Sequence, residues 1–471
     1  MKFLEKIKTK EIKVGIIGLG YVGLPLAIEF AKAGYEVLGV DICESKIEQL
    51  KKGESYILDV KSSDVQEYII RRGNFRVSSS YELLKSADTI SITVPTPLRK
   101  TKDPDISFIV SSMDSLIPVL RDRKNYAIIL ESTTYPGTTR ELIYDRLRSE
   151  YKYLEAGENI YVAFSPERVD PGNPKYHTKN TPKVIGGITS RCTEIVSSLY
   201  ANVIETIVPV GSSEEAEMVK LLENTFRAVN IALVNELLLM CDRMDIDVWR
   251  VIDAAKTKPF GFMPFYPGPG IGGHCIPLDP LYLSWKAKSY DFYNRFIELA
   301  SDINGNMPRF TVNKLHRIMN DNKKCLNGSK VLLLGMSYKK DIDDVRESPG
   351  LEIYKILKEE YKADVHYHDP HVPSFEYYHG ELSGSDKHES IRRINSLEIS
   401  PKILQTFDCV VLLVDHSSFD YTSIANNSKI ILDTRNSLVD HDHDHGNGKF
   451  ESNHPNHHFN NISSASIIRK L

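Results

Sequence analysis

The chain has 471 residues, of which 41% are hydrophobic and 26% are charged. This length exceeds what one hydrophobic core serves, so we expect two or three domains in a soluble globular protein. The formal net charge of -4 argues against a general nucleic-acid-binding protein, which usually needs a basic surface. No apolar run is long enough to span a membrane, and the charged N-terminal segment lacks a signal-peptide core.

The six cysteines are scattered along the chain and form no Cys-x-x-Cys pair. This pattern is typical of reduced thiols in a cytoplasmic enzyme, and it supports neither a disulfide framework nor a structural zinc site. We therefore expect a cytoplasmic protein with no metal site, no membrane partner and no nucleic-acid partner.

The first third of the chain alternates short apolar strands with helical patterns. Strands are predicted at 12–17, 35–40, 89–94 and 126–131, and the first helix from about 24 to 32. Alternation of this kind predicts a parallel sheet that is covered by helices on both faces.

A glycine motif, Gly18-Leu-Gly-Tyr-Val-Gly23, lies between the first strand and the first helix, and Asp41 closes the second strand. Gly18 permits a tight turn, Gly20 lets a pyrophosphate approach the backbone, and Gly23 lets the helix pack against the strand. Asp41 is expected to accept hydrogen bonds from the adenosine ribose, and its charge favours NAD over NADP. The motif predicts an NAD site.

The middle of the chain changes character, because the helical pattern is uninterrupted from about residue 212 to 244. A helix of roughly 30 residues spans about 45 Å, which is longer than a small domain needs. We interpret it as a connector between two lobes and as a candidate dimerisation element.

A loop rich in glycine and proline follows at residues 267–280, and it contains Cys275. A free cysteine is often a buried spectator. In a loop of an NAD enzyme, it is also a candidate nucleophile that forms a thiohemiacetal and then a thioester. The position of Cys275 in a glycine-rich loop favours the role of nucleophile over that of a buried spectator. His274 is adjacent, but neighbouring side chains on an extended segment point apart, so we do not assign it a catalytic role.

A second strand–helix alternation begins near residue 330. Strands are predicted at 330–335, 364–368, 408–414 and 429–433, with a helix near 348–360. The turn at 335–341 carries lysines instead of further glycines, so the two halves are expected to bind different ligands. The His-rich segment at 440–458 is a candidate metal-binding tract, but we favour a solvated loop before a last strand, because nothing in it fixes a coordination geometry.

These patterns predict an α/β protein in which two doubly wound, Rossmann-like domains are joined by a long central helix. The chain as a whole resembles the UDP-glucose/GDP-mannose dehydrogenase family, whose members oxidise a sugar C6 alcohol to a carboxylate with two NAD. The resemblance rests on motifs in the same order nearly from end to end: Val14-Gly-Ile-Ile-Gly-Leu-Gly-Tyr-Val-Gly-Leu-Pro25, Val94-Pro-Thr-Pro97, Glu131-Ser-Thr133, Ser165-Pro-Glu-Arg168, Lys220-Leu-Leu-Glu-Asn224, Gly272-Gly-His-Cys275 with Asp279, Ser337-Tyr-Lys-Lys-Asp341, Arg346-Glu-Ser348 and Asp433-Thr-Arg435.

The resemblance implies three domains. Residues 1–210 would form the NAD-binding domain, and 211–320 a helical connector and dimerisation region that carries the cysteine loop. Residues 321–471 would form the UDP-sugar-binding domain, which includes the His-rich segment.

The resemblance also implies roles for the matching residues. Cys275 would be the nucleophile, Glu167 the carboxylate tied to thioester hydrolysis, and Thr133 the hydroxyl that helps to place water. The polar cluster around the reacting carbon would be Lys220, Asn224 and Asp279. The implied cofactor contacts are Gly18, Gly20, Tyr21, Val22, Gly23, Asp41, Thr96, Thr133 and Arg346. The implied substrate contacts are Glu167, Arg168, Lys220, Asn224, Tyr266, Gly272, Lys339 and Arg435.

One departure bears on the substrate. Members of the UDP-glucose type often have a second acidic residue four positions after the glutamate of the Pro-Glu motif, where this chain has Pro171. The segments around Glu167 and Cys275 are similar to the branch that acts on UDP-N-acetylhexosamines. In that reading Arg168 replaces an apolar residue and contacts the altered sugar.

The sequence therefore predicts a UDP-N-acetylglucosamine 6-dehydrogenase that works as a homodimer and serves the synthesis of a surface polysaccharide. Within the class, the alternatives are UDP-glucose, UDP-N-acetylmannosamine and UDP-N-acetylgalactosamine. From other classes, the chain could be a non-catalytic nucleotide-sugar sensor or a two-electron dehydrogenase. The sensor has no need for a nucleophile, and the two-electron enzyme would not require Cys275.

Overall fold

The computed structural model describes residues 2–57, 59–97, 99, 103–168, 175–273, 276–379, 390–438 and 466–471. The chain divides into two compact units. The first unit contains residues 1–225 and 278–294, and the second contains residues 226–277 and 295–471.

The first unit is built on an eight-stranded sheet with the strand order β3-β2-β1-β4-β5-β6-β7-β8. All neighbouring strands are parallel except β6 and β7. The strands are β1 Lys13–Ile17, β2 Glu36–Val40, β3 Phe75–Ser78, β4 Thr89–Ile92, β5 Tyr126–Leu130, β6 Ile160–Phe164, β7 Lys183–Gly187 and β8 Ile207–Pro209.

Both faces of the central strands of this sheet are buried, which explains why these strands are mostly apolar. In β1, Val14 and Ile16 join one hydrophobic cluster, whereas Ile17 joins another on the opposite face. The helices of this unit that precede the long helix are α1 Lys2–Thr9, α2 Gly23–Lys32, α3 Glu44–Lys51, α4 Ser62–Val65, α5 Ser107–Val119, α6 Asp145–Glu150 and α7 Ser190–Tyr200. π-Helical turns span Gln66–Arg71 and Thr139–Tyr144, and a 3-10 helix spans Tyr81–Ser86.

The chain passes from the first unit to the second within one helix, α8 Ser213–Met244, which is 32 residues long. It then forms α9 Val248–Lys256 in the second unit, α10 Asp279–Lys288 in the first and α11 Arg295–Asp321 in the second. The predicted central region, 211–320, is therefore divided between the two units.

The second unit has a five-stranded parallel sheet with the order β10-β9-β13-β14-β15. Its strands are β9 Lys330–Leu334, β10 Asp364–His368, β13 Cys409–Leu412, β14 Ile430–Asp433 and β15 Ile467–Lys470. An antiparallel pair, β11 Ser374–His379 and β12 Ser390–Asn395, lies outside this sheet. The helices are α12 Pro349–Glu359, α13 Pro401–Leu404 and α14 Tyr421–Asn427.

The predicted fold class is confirmed, with one doubly wound sheet in each unit. The predicted strands and the long helix agree with the structure to within two residues at each end. The division at residues 210 and 320 stays a prediction. The whole His-rich segment at 440–458 lies outside the described residues. Among the helices that are described, none combines the length and the apolar character needed to cross a membrane.

Candidate active site

The glycine motif forms a tight turn between β1 and α2. Gly18 has a φ of 90°, which a residue with a side chain rarely adopts. A Cβ on Gly23 would lie 1.9 Å from the carbonyl oxygen of Gly18, so the helix packs against the turn with no room for a methyl group. A Cβ on Gly20 would have no neighbour within 4 Å. The turn is therefore filled behind Gly23 and open at Gly20.

Asp41 follows β2 and is buried beside this turn. One carboxylate oxygen accepts a hydrogen bond from the backbone N–H of Leu19 at 2.9 Å, and the other accepts one from the N–H of Cys43 at 2.9 Å. The ammonium of Lys46 lies 3.4 Å from the carboxylate, so the charge of Asp41 is partly compensated. An open glycine at the start of a helix and a fixed carboxylate after the second strand fit the diphosphate and the ribose of NAD.

The carboxyl ends of β1, β4, β5 and β6 lie at one edge of the sheet because these strands are parallel. The carbonyl of Thr96, after β4, accepts a hydrogen bond from the Tyr282 hydroxyl at 2.7 Å. Thr133 is half-buried three residues after β5, and Glu167 follows β6 at the same edge. This is the edge at which doubly wound sheets bind ligands.

A buried polar cluster lies where α8 passes this edge. The ammonium of Lys220 donates a hydrogen bond to the main-chain carbonyl of Glu167 at 2.6 Å. One turn further along, the amide of Asn224 donates a hydrogen bond to the carboxylate of Asp279, the first residue of α10. Lys220, Asn224 and Asp279 are each at least 91% buried. The first unit thus brings together four of the six predicted catalytic residues.

Burial raises the pKa of Asp279 to about 6, and this effect outweighs the positive charge of Lys220 and the hydrogen bond from Asn224, which both lower it. The carboxyl group is therefore largely ionised at neutral pH but lies close to its titration range. It supplies a negative charge beside the ammonium of Lys220.

Arg168 is engaged within the first unit. Its guanidinium donates hydrogen bonds to the Glu223 carboxylate, at 2.5 and 3.3 Å, and to the Pro182 carbonyl at 2.8 Å. Its backbone N–H donates to the carboxylate of Glu167 at 2.7 Å. The guanidinium is thus paired within the first unit. Its predicted contact with the sugar stays a prediction.

Sequence reasoning missed a second buried network under this site. The ammonium of Lys183 lies 2.8 Å from the carboxylate of Glu131, and the hydroxyl of Tyr200 donates to the same carboxylate. Ser91 contacts the Tyr200 hydroxyl at 3.0 Å. Burial raises the pKa of Glu131 despite the positive charge of Lys183. The sequence signal that could have revealed this network is Glu131 directly after the apolar strand β5, because a buried charge needs a buried partner.

In the second unit, ring and polar contacts hold the start of the cysteine loop and Tyr266, the residue that precedes it. The ring of Tyr266 stacks on Trp249 with centroids 5.7 Å apart, and its hydroxyl donates to Asp253 at 2.8 Å. The backbone N–H of Gly268 donates to the buried amide oxygen of Asn235 at 3.0 Å. These contacts tie the loop to α8 and α9.

Further along the same loop, Gly272 and Gly273 pack against Tyr338, in the turn after β9. A Cβ on Gly272 would lie 2.6 Å from the Cβ of Tyr338, and a Cβ on Gly273 would lie 2.9 Å from its ring. The N–H of Gly273 donates to the carbonyl of Arg346 at 3.0 Å. The predicted nucleophile, Cys275, and its neighbour at 274 lie outside the described residues.

The predicted cations of the second unit differ in their surroundings. Lys339 is half-buried in the turn after β9. Arg435 follows β14, donates from Nε to the carbonyl of Leu413 at 2.7 Å, and lies so close to Gly268 that a Cβ there would be 2.8 Å from Nη1. The guanidinium of Arg346 is held by hydrogen bonds to its neighbour Asp344, and its cofactor role stays a prediction.

Three domain models of one family match this chain in succession. The models describe the NAD binding domain, the central domain and the UDP binding domain of the UDP-glucose/GDP-mannose dehydrogenase family, and they match residues 12–204, 214–306 and 332–440.

Individual relatives match over nearly their whole length. A UDP-N-acetyl-D-mannosamine dehydrogenase of Methanococcus maripaludis is 34% identical over 448 residues, which cover 92% of this chain and 95% of the relative. A UDP-N-acetyl-D-glucosamine 6-dehydrogenase of Pseudomonas aeruginosa is 34% identical over 422 residues, which cover 89% and 94%. The solved structure of a UDP-D-ManNAc dehydrogenase from Pyrococcus horikoshii superposes with a TM-score of 0.79 at 31% identity, covering 91% of this chain and 96% of that one.

Proposed function

The chain belongs to the UDP-glucose/GDP-mannose dehydrogenase family, and we propose that it oxidises the C6 hydroxyl of UDP-N-acetylglucosamine to a carboxylate. It carries the NAD-binding and UDP-binding domains of that family, and it is an NAD-dependent UDP-sugar dehydrogenase. The observation that carries the proposal is the buried cluster of Lys220, Asn224 and Asp279 beside Glu167.

The proposed reaction removes four electrons in two steps. Bound at the glycine turn and Asp41, NAD would supply the hydride acceptor for each of the two oxidations. The C6 alcohol first loses a hydride and a proton to give an aldehyde, and the thiolate of Cys275 adds to the aldehyde carbon to give the oxyanion of a thiohemiacetal. Loss of a second hydride gives a thioester, and water then cleaves the C–S bond, which releases the carboxylate and returns the thiol.

Lys220 is proposed to stabilise the oxyanion that develops at C6. Its ammonium is buried and already points at a carbonyl oxygen, that of Glu167. A charge in a site from which water is excluded interacts more strongly with a developing alkoxide than a charge in bulk water does. Asp279 provides the counter-charge, and Asn224 holds the Asp279 carboxylate in place.

The carboxylate of Glu167 is proposed to accept a proton from the water that hydrolyses the thioester. Its backbone is fixed by Lys220, and its carboxylate accepts the N–H of Arg168. Thr133, three residues after the neighbouring strand β5, is proposed to orient that water.

The UDP part of the substrate is proposed to bind to Lys339 and Arg435 in the second unit. Both side chains are cationic and half-buried. A guanidinium forms paired hydrogen bonds with phosphate oxygens, so these residues suit a diphosphate.

Two hexosamine epimers are candidates for the sugar. The Pseudomonas aeruginosa relative supports UDP-N-acetylglucosamine, as does the segment from Ser165 to Gly172. UDP-N-acetylmannosamine is the second candidate, because the Methanococcus maripaludis and Pyrococcus horikoshii proteins carry that name at the same level of identity. We place the reaction in the cytoplasm, and the product in surface polysaccharide synthesis.

The test is turnover on a panel of UDP-sugars, with NADH followed by absorbance and the acid product by mass spectrometry. We expect two NADH for each sugar and the highest kcat/KM with UDP-N-acetylglucosamine. A preference for the mannosamine epimer would replace the proposed substrate, and the absence of turnover on every UDP-sugar would refute the function.

The covalent step has its own test. Cys275→Ser is expected to abolish formation of the acid, because a serine hydroxyl is a much weaker nucleophile than a thiolate and forms no thioester. Cys325→Ser is the matched control, since Cys325 is an exposed free cysteine. Unchanged acid production by Cys275→Ser would remove the covalent step from the mechanism.

We also propose that two copies of the chain associate through α8. Six exposed apolar side chains recur along one face of this helix at spacings of four and seven residues: Met218, Leu222, Phe226, Leu233, Met240 and Met244. An apolar stripe of this length is typical of a protein–protein interface. In sedimentation velocity we expect the native protein to be a dimer and Leu233→Glu to shift it toward monomer; a monomeric native protein would refute the proposal.

A further inference from the structure

A buried histidine and a buried aspartate bracket the turn that follows β9 in the second unit. This turn runs from Met336 to Asp341 and contains Lys339. His416 is completely buried, and Asp369 is 97% buried. Neither residue belongs to the site that the sequence predicted.

Asp369 holds the beginning of the turn. It follows β10, and one of its carboxylate oxygens accepts hydrogen bonds from the backbone N–H groups of Met336, at 2.6 Å, and Ser337, at 2.9 Å. Its other oxygen accepts the N–H groups of His371 and Val372. The carboxylate therefore fixes the first two residues of the turn relative to β10.

His416 holds the end of the turn. The backbone N–H of Asp341 lies 3.0 Å from Nδ1 of His416. A backbone N–H only donates, so Nδ1 is the acceptor and the proton of the neutral ring is on Nε2. Nε2 lies 3.2 Å from the carboxylate of Asp369, to which it donates. The side chain of His416 thus links the carboxylate at the start of the turn to the backbone at its end.

The same geometry argues against a metal ion at this place. Asp341, His371 and His416 present possible ligand atoms within 4.8 Å of one another. A metal ligand needs a free lone pair, whereas Nδ1 of His416 already accepts from the main chain and Nε2 carries a proton. The cluster is organised as a hydrogen-bonded frame and not as a coordination site.

The frame contacts Lys339 through the main chain. The hydroxyl of Ser337 donates to the carbonyl oxygen of Lys339 at 2.8 Å and also lies 3.3 Å from Nε2 of His416. Tyr338, which lies between Ser337 and Lys339 in this turn, is the residue against which Gly272 and Gly273 pack. Any shift of this turn therefore moves both Lys339 and the support of the cysteine loop.

We propose that His416 and Asp369 are positioning residues for the UDP-sugar, which act by fixing the backbone of the turn that presents Lys339. The inference rests on the proposed binding of UDP to Lys339. Neither side chain touches the substrate in this account. Loss of the frame weakens the binding of UDP and leaves the glycine turn and Asp41, which belong to the other unit, unchanged.

The test is calorimetric titration of the full-length protein with UDP and, separately, with NAD. His416→Phe keeps the ring volume but removes both hydrogen bonds, and we expect UDP to bind about 10- to 100-fold more weakly. His416→Asn keeps an acceptor near the position of Nδ1, but its shorter amide places no N–H at the position of Nε2, so the loss of UDP affinity should be intermediate. Asp369→Asn should also weaken UDP binding. The KM for the UDP-sugar should rise together with the Kd for UDP, whereas the Kd for NAD should stay within twofold of the native value.

Leu326→Ala is the control for general destabilisation. Leu326 is buried in the same unit but precedes β9, at the edge of the sheet opposite the turn. It should lower the melting temperature without changing the Kd for UDP. If His416→Phe does not fold, the Asn variants of His416 and Asp369 decide the question.

The outcomes separate this inference from the proposed function. A native protein that does not bind UDP would overturn both. A native protein that binds UDP, with His416→Phe or the two Asn variants binding within twofold of it, would overturn the positioning role alone.

Discussion

The buried carboxyl group of Asp279 makes the stability of the first unit depend on pH in an unusual direction. Its pKa is raised to about 6 from 3.8, with burial as the main cause. The native state then holds a proton that the unfolded chain releases at lower pH. Stability is therefore highest below about pH 4 for this group, and it declines as the pH rises through 6. A shift of about 2 pKa units corresponds to about 3 kcal/mol.

Asp279→Asn removes this titration while keeping a hydrogen-bond acceptor for Asn224. We expect the variant to gain stability relative to the native protein between pH 4.5 and pH 7.5, by about 2 kcal/mol across that interval, because the carboxyl group of the unfolded chain is already mostly ionised at pH 4.5. Loss of a negative charge from the first turn of α10 offsets about 0.5 kcal/mol of the gain. Activity should fall, because the ammonium of Lys220 loses its counter-charge.

The measurement is urea unfolding of both proteins at several pH values. The chain has two tryptophans, so a Trp249→Phe background leaves Trp285, on α10, as a fluorescent reporter of the first unit. Asp291→Asn, an exposed residue in the same unit, is a control with the same change in charge. If the stability difference between Asp279→Asn and the native protein is the same at pH 4.5 and 7.5, the argument from burial is wrong.

Three further predictions concern the first unit. Gly20→Ala should leave the melting temperature of the NAD-free protein unchanged but reduce the stabilisation by NAD. Gly23→Ala should lower the melting temperature of the NAD-free protein itself, because only a methyl group at residue 23 clashes with the backbone. Equal effects of the two variants on the NAD-free protein would contradict the geometry. Lys183→Met should destabilise the protein to urea by about 3 kcal/mol or more, because it leaves Glu131 buried without a counter-charge, and adding Glu131→Gln should recover most of the loss. Asp41→Ser should raise the kcat/KM with NADP relative to NAD at least tenfold, since a 2′-phosphate no longer meets a carboxylate; an unchanged ratio would show that Asp41 does not select the cofactor.

The sequence by itself determined the local structure and the NAD motif. Short β-branched runs form strands because both faces of the central strands are buried. The glycine turn lies between the first strand and the first helix, as the sequence pattern predicts. Helical spacing also placed Lys220 and Asn224 on one face of α8, because residues four apart are neighbours on a helix. Each of these features depends on residues that are close together in the chain.

Only the tertiary structure decided which distant polar groups meet. Lys183 and Tyr200 reach Glu131 across 52 and 69 residues, and His416 reaches Asp369 across 47. Periodicity indicates that a residue is buried, but the partner of a buried charge depends on the order and the register of the strands, which no local pattern specifies. The assignment of residues 278–294 to the first unit has the same origin, since it depends on long-range packing after the chain has left that unit.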